Sequence, residues 1–157
     1  MLKILNASPG FGAPLTEQEI KDFLTTKALM LHLGTVDEKG HANIHPVAYY
    51  YNPSDNKFNI LTEKESKKVH NLKGTEMIYF CVDDPSPPYK GIRGKGTVII
   101  NEDVEFNISI MEKVIPRYGG KLEDPTSQAL LEQLKKGEAV VLEIDPKYYS
   151  TWDYSKQ

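Results

Sequence analysis

Hydrophobic and polar positions alternate along much of the chain, and this alternation predicts several short β-strands. Each run is rich in β-branched and aromatic residues and is bounded by Gly, Pro, Asn or Asp. The turn Asp37–Gly40 ends in a glycine that can adopt the positive φ of a tight hairpin. The predicted strands are residues 28–36, 41–51, 57–61, 76–82, 91–100, 139–144 and 148–154.

Helical spacing of apolar residues appears elsewhere. Thr16 and Glu19 form a capping-box pattern that begins a predicted helix over Glu17–Lys27. Thr62 and Glu65 repeat that pattern, which predicts a second helix over Glu63–Lys73 with Gly74 as its stop. Two further helices are predicted over residues 103–118 and 126–136.

The order of these elements indicates a mainly β fold with peripheral α-helices. Residues 1–15 are rich in Pro and Gly and are expected to be irregular, residues 83–88 should form a loop, and Asp145-Pro146 should separate the last two strands. Connections are short early in the chain and helices are inserted later. This order favours an antiparallel barrel over a parallel βαβ sheet, and no linker divides the single predicted domain, residues 1–157.

Composition narrows the possible functions. The net charge of −3 disfavours nucleic-acid binding and an anionic membrane surface, so any anion site must be local. Cys81 is the single cysteine and lies in an apolar run, which excludes an intrachain disulfide and favours a buried, inert thiol in a reducing compartment. No signal peptide or membrane-spanning segment is recognisable, so we expect a cytoplasmic protein. The four histidines have no spacing typical of a metal site.

The most informative segment is Leu61–Leu72. A strand runs into the start of a helix, where unpaired N–H groups favour an anion. Thr62 and Ser66 supply hydroxyl groups, and Lys67 and Lys68 supply charge, so the segment could hold a phosphate. The alternative is an ordinary solvated helix face carrying these lysines, with Glu63 and Glu65 near its start.

Four motifs in this order resemble the pyridoxamine 5′-phosphate oxidase-like FMN-binding split-barrel family. The first is Leu33–Val47, which resembles the family's opening hairpin, and the second is Thr62 with Ser66-Lys67-Lys68 and Asn71-Leu72. The third is Pro88–Gly96, and the fourth runs from Ile144 to Asp153. The resemblance covers the chain from about Phe23 onward and implies a six-stranded antiparallel split β-barrel.

The resemblance also implies a function. Members of this family are homodimers with FMN at the subunit interface, and they act as oxidoreductases on small-molecule substrates. The cofactor-binding positions implied for this chain are His45, Pro46, Val47, Ala48, Leu61, Thr62, Ser66, Lys67, Lys68, Gly91 and Trp152. No residue stands out as a catalytic acid or base, so the catalytic residues and the substrate are not identified.

The chain departs from the family's pattern in its arginines. True pyridoxamine-phosphate oxidases use several, whereas this chain has only Arg93 and Arg117, which makes that particular activity doubtful. The segment Arg117–Gly120 resembles the deazaflavin-binding branch of the same family, so a deazaflavin-dependent reductase is one alternative. Another is a non-catalytic module that binds flavin or haem, with His45 or His32 as candidate haem ligands.

Overall fold

The computed structural model describes residues 2–156, which form one β-sheet with flanking helices. The strands are β1 (Ile4–Asn6), β2 (Leu31–Val36), β3 (Ala42–Val47), β4 (Tyr50–Asn52), β5 (Lys57–Glu63), β6 (Met77–Asp84), β7 (Lys90–Asn101) and β8 (Ala139–Asp153). The helices are α1 (Glu17–Thr26), α2 (Lys67–Gly74), α3 (Val104–Arg117) and α4 (Pro125–Lys135), and a 3₁₀ turn covers Tyr154–Lys156. No helix within this described range is long and apolar enough to cross a membrane.

The connectivity requires the sheet to curl. The strand order is β3-β2-β6-β7-β8-β5-β4, so β3 and β4 stand at opposite ends of the path. Only Ala48 and Tyr49 join these two strands, and such a link spans roughly 11 Å at most. The two ends must therefore lie close together, which confirms a mainly β split barrel with peripheral helices, although it has eight strands rather than six or seven.

The break between β3 and β4 corrects the single strand predicted for residues 41–51. The backbone N–H of Tyr49 donates to the hydroxyl of Tyr118, at 3.1 Å, instead of to a neighbouring strand. The Tyr118 hydroxyl in turn donates to the carbonyl of Leu29, at 2.6 Å. Tyr118, at the end of α3, thus satisfies the backbone N–H of Tyr49 at the point where the chain passes from β3 at one end of the sheet to β4 at the other.

The second predicted capping box is also wrong. Thr62 lies within β5, paired with Val140, and Ser66 is the residue at which α2 begins. The ladder holds the chain extended through Glu63, so the helix cannot start where the Thr62–Glu65 pattern suggested. By contrast, the first capping box is confirmed, because Thr16 and Glu19 each accept from the other's backbone N–H.

Three other boundaries differ from the prediction. The segment predicted to be irregular contains β1, which pairs in parallel with residues 149–151 of β8. Asp83 and Asp84 continue β6 instead of starting a loop. Asp145-Pro146 does not end a strand, because a register shift between Lys95 and Gly96 lets β8 bulge and run on as one 15-residue strand.

Aromatic rings fill the barrel interior around Phe58. Its ring lies 5.1–6.5 Å from the ring centroids of Tyr49, Tyr51, Phe80 and Tyr149. Tyr51 and Tyr149 are fully buried, and both hydroxyls donate to the side-chain oxygen of Asn56, at 2.7 and 2.9 Å. Asn56 has a positive φ of 57°, so one turn residue fixes both the hairpin and two core phenols.

Replacing Asn56 by Gly separates these two roles. Glycine tolerates the positive φ, but both buried phenols lose their acceptor, so we expect a loss of roughly 2 kcal/mol or more in unfolding free energy. Urea denaturation of the wild type and the variant measures this loss. Asn56→Asp keeps an acceptor and is the matched control; equal stability of the wild type and Asn56→Gly would contradict the assigned role.

Candidate anion-binding site

The candidate site forms where the end of β5 meets the start of α2. Thr62 points inward from β5 and is almost fully buried. The ammonium of Lys68 donates to the Thr62 hydroxyl at 2.9 Å, and the hydroxyls of Thr62 and Ser66 lie 3.2 Å apart. If Thr62 accepts from Lys68 and donates to Ser66, the Ser66 hydroxyl and the remaining Lys68 protons stay available as donors.

The first turn of α2 adds backbone donors. Ser66 is its N-cap residue, yet its side chain makes no capping hydrogen bond to the helix. The opening N–H groups of a helix have no intrahelical partner, and they carry the positive end of its dipole. An anion beside Ser66 would therefore meet a hydroxyl, backbone N–H groups and an ammonium together.

Lys68 has no carboxylate partner. None of the ion pairs described among residues 2–156 involves its ammonium. Partial burial lowers the pKa of Lys68, and the more distant Glu63 only partly opposes this effect. A half-buried cation that is bonded only to a neutral hydroxyl is a favourable position for an anionic ligand.

The neighbouring Lys67 is in a different situation. Its exposed ammonium lies 3.6 Å from a carboxylate oxygen of Glu38 in the turn between β2 and β3. The same oxygen is 3.9 Å from a ring nitrogen of His70. Of the two lysines predicted to bind phosphate, only Lys68 is therefore free of a carboxylate.

His45 joins the site from β3 through a second polar chain. Its Nε2 atom lies 3.0 Å from the Thr35 hydroxyl, which accepts from the side-chain amide of Asn71 at 2.9 Å. Burial lowers the pKa of His45, and the charge of Lys68 lowers it further. A neutral His45 ring can accept a hydrogen bond from the Thr35 hydroxyl, which agrees with the lowered pKa of His45.

Thr35 was not singled out from the sequence, and Asn71 was named only as part of the second motif and not as a cofactor-binding position. Asn71 is buried, and its side-chain oxygen has no hydrogen-bond partner. The available signal was a polar residue at an inward position of an alternating strand, and an amide on the apolar face of α2. Thr35 is hydrogen-bonded to His45, and Asn71 is hydrogen-bonded to Thr35.

The other residues predicted to bind the cofactor lie in three different places. Val47 is buried in the core, whereas Ala48 and Leu61 pack beneath α3 together with Ile110 and Val114. Pro46, Gly91 and Trp152 lie instead on the outer surface of the sheet. The indole of Trp152 covers Gly91 so closely that a Cβ there would lie 2.3 Å from a ring carbon.

Arg117 is bound within the fold. Its guanidinium donates to the carbonyls of Leu24, Thr25 and Lys27 at the end of α1, and it contacts the Tyr49 hydroxyl at 3.3 Å. Arginine geometry suits several acceptors at once, and here all the acceptors are internal. Arg117 and Tyr118 thus fix α1 and the strand break, away from Lys68.

Cys81 and the histidines have limited roles in the described structure. Cys81 is half-buried on the outer surface of β6, and burial raises the pKa of its thiol. His32 lies on the same surface, 3.8 Å from Asp83. Within residues 2–156 no three metal-binding side chains come together.

Comparisons with known proteins assign the class. Among solved structures, the chain superposes on the conserved hypothetical protein Rv2991 from Mycobacterium tuberculosis with a TM-score of 0.77, 21% identity, and 94% and 89% of the two chains covered. An F420 reductase superposes with a TM-score of 0.65 at 23% identity, covering 82% of this chain and 94% of that one. HutZ, the heme storage protein from Vibrio cholerae, gives 0.64 at 15% identity, with 87% and 93% covered. These likenesses establish a shared fold.

Family membership rests on the sequence. The family model for pyridoxamine 5′-phosphate oxidase matches residues 16–153, which include β2 to β8 and the candidate site. The search of curated proteins found no match to the chain. The chain belongs to the pyridoxamine 5′-phosphate oxidase family, as its motifs predicted.

The proximity of Lys68 to His45 is testable without a ligand. We expect His45 to titrate below its usual pKa of about 6.5, and its pKa should rise in Lys68→Met, which removes the neighbouring positive charge. NMR titration of the histidine ring protons measures both values. Lys39→Met on the β2–β3 turn is the control. An unchanged pKa of His45 in Lys68→Met would show that the Lys68 ammonium does not lie close to the His45 ring.

Proposed function

We propose that this protein binds FMN through its phosphate at Thr62, Ser66 and Lys68 and acts as a flavin-dependent oxidoreductase. The observation that carries the proposal is the Lys68 ammonium, which is half-buried, has no carboxylate partner within residues 2–156 and is held by a neutral hydroxyl. A phosphate would supply the missing negative charge and accept from Ser66 and the start of α2. Family membership supports the cofactor class.

The residues present fit the cofactor's phosphate end. The donors are the Ser66 hydroxyl, the Lys68 ammonium and the first backbone N–H groups of α2, all within one turn of chain. His45, in its neutral form, would border the cofactor without adding charge. A bound flavin supplies hydride or electron transfer through its ring, while this chain supplies binding, orientation and exclusion of water.

The positions of Gly91 and Trp152 support a homodimer with a shared site. Gly91 lies on β7, three strands along from β3, which at ~4.8 Å per strand is roughly 14 Å away. Trp152 lies one strand further, on the outer surface of the sheet. One ring beside His45 could not also touch these residues of the same chain, so we propose that a second copy supplies them.

The outer surface of the sheet supports the same proposal. Helices α3 and α4 pack over β5 and the first part of β8 and leave the rest uncovered. We call the uncovered part the open face; it comprises the outward residues of β3, β2, β6 and β7, and of β8 from Tyr148 onward. Its exposed apolar side chains include Ile44 (66% exposed), Tyr79 (57%) and Ile99 (60%), a set that suits an interface between copies.

A deazaflavin coenzyme is the second candidate, because one structural neighbour is an F420 reductase. Deazaflavin coenzymes carry a phosphate as well, so the Lys68 cluster could hold either. Arg117 gives no support to this choice, since its guanidinium is bound to backbone carbonyls. Titration with both coenzymes decides between them, and a Soret band in the purified protein would instead favour haem, as HutZ stores.

Lys68→Met should weaken FMN binding by about 10–150-fold, equivalent to roughly 1.5–3 kcal/mol for a charge-assisted contact. Riboflavin, which has no phosphate, should lose less than about threefold. Fluorescence titration measures both affinities.

Lys67→Met is the matched control for Lys68→Met. Its ammonium already faces Glu38, so its removal should weaken FMN binding less. An equal loss for FMN and riboflavin in Lys68→Met would mean that Lys68 does not contact the phosphate. Failure of the wild type to bind either flavin or the deazaflavin coenzyme would reject the proposal.

Ile44→Lys should convert the dimer to a monomer, because it would bury a charge in the proposed interface in place of an apolar side chain. Sedimentation velocity reports the association state, and FMN affinity should fall with it. Met30→Lys, which adds a charge at an exposed residue just before β2, is the control. A wild type that is monomeric yet binds FMN at full strength would contradict the shared site.

A further inference from the structure

The open face contains a pocket that the proposed phosphate site does not use. It has a volume of about 310 Å³ and is lined by Leu5, Tyr79, Arg93, Gly94, Tyr148 and Ser150. These residues come from β1, β6, β7 and β8, which neighbour one another in the sheet. The floor is therefore rigid backbone, and only side chains form the walls.

One positive charge without a carboxylate partner, that of Arg93, lines this pocket, and a second, that of Lys95, lies two residues further along β7. Arg93 and Lys95 project from the same side of β7, and neither belongs to any ion pair described for residues 2–156. The Lys95 ammonium lies 6.0 Å from the ring centroid of Tyr79. In a chain of net charge −3, neighbouring cations without carboxylates indicate a surface that favours an anion.

Hydroxyl groups supplement these charges. Tyr148 lies opposite Lys95, and Ser150 lies opposite Arg93 in the β7–β8 ladder. Partial burial and the neighbouring Tyr79 hydroxyl raise the pKa of Tyr148, and the charge of Arg93 opposes them only in part. The Tyr148 phenol is thus a protonated donor at neutral pH, and the walls combine a guanidinium fork with hydroxyls and aromatic rings.

We propose that this pocket is a subsite for the carboxylate or phosphate of a small organic anion, with Arg93 as its main contact. The inference deepens the proposed function and rests on it, because Arg93 lies two residues from Gly91 on the same side of β7. That spacing puts the Cα atom of Arg93 roughly 7 Å from that of Gly91, the residue expected to border the flavin ring. The substrate class is accordingly a small organic anion whose charged group binds Arg93 while the rest of the molecule extends along the open face toward Gly91.

Trp152 allows a test that needs no cofactor. It is the only tryptophan of the chain and lies two residues from Ser150 on the same side of β8. Benzoate, phenyl phosphate and neutral benzamide are titrated into apo protein while indole emission is recorded. We expect saturable changes with benzoate or phenyl phosphate and none with benzamide, and the stronger of the two anions identifies the charged group.

Variants locate the binding. Arg93→Gln should weaken anion binding by about tenfold or more, and Arg93→Lys should retain part of it, because lysine keeps the charge but not the fork. Lys39→Gln, on the turn between β2 and β3, should leave it unchanged. An equal response to benzamide, no effect of Arg93→Gln, or no response because a second copy fills the pocket would each overturn the proposal.

An FMN titration on the same samples separates the two proposals. FMN binding without an anion response would reject the subsite and leave the proposed function intact. An Arg93-dependent anion response without binding of any flavin coenzyme would support the pocket and reject the proposed function.

Discussion

The proposed function depends on the Lys68 ammonium, which is half-buried and has no carboxylate partner in the part of the chain that the structure describes. Removing a cation from water is costly unless a charge or several hydrogen bonds compensate. Thr62 supplies one neutral acceptor, and burial accordingly lowers the pKa of the lysine. The fold thus holds a charge in a position that is unfavourable without a ligand, and an anion would remove that penalty.

The curl of the barrel determines which side chains surround this charge. Thr62 faces inward because of its place in the β5–β8 register, and Ser66 follows where that ladder ends. The two-residue link between β3 and β4 closes the sheet, which brings His45 of β3 toward α2. A shift of one residue in either strand would turn these groups outward, so register and site are coupled.

Much of the fold could be predicted because local signals agreed with the tertiary structure. Helix α1 begins at its capping box, and the alternating strands lie close to their predicted ranges. The errors arose where long-range contacts decide: β1 is too short to recognise without β8, and Pro146 is tolerated only because a bulge relieves the ladder. The second capping-box pattern failed because β5 pairs as far as Glu63, a restraint that no local window contains.

The candidate site was predicted in part for the same reason. Thr62, Ser66 and Lys68 are close in sequence, so a local motif could bring them together, whereas Thr35 and Asn71 reach His45 only through the barrel's closure. Residue type alone did not distinguish Lys67 from Lys68, because the partner of Lys67 lies in the β2–β3 turn. The sequence also did not show which of its two arginines, Arg93 or Arg117, is free to contact a ligand.

The two arginines have different environments in the fold, one bound internally and one exposed. The guanidinium of Arg117 is occupied by three carbonyls at the end of α1, so it stabilises the structure and leaves little capacity for a ligand. Arg93 projects from the centre of the open face with no such partners. Lys68 lies on the far side of β2 and β6 from it, so the two proposed anion sites are separate. If copies meet through the open face, Arg93 of each copy would lie in the interface between them, where a bound anion would compensate its charge.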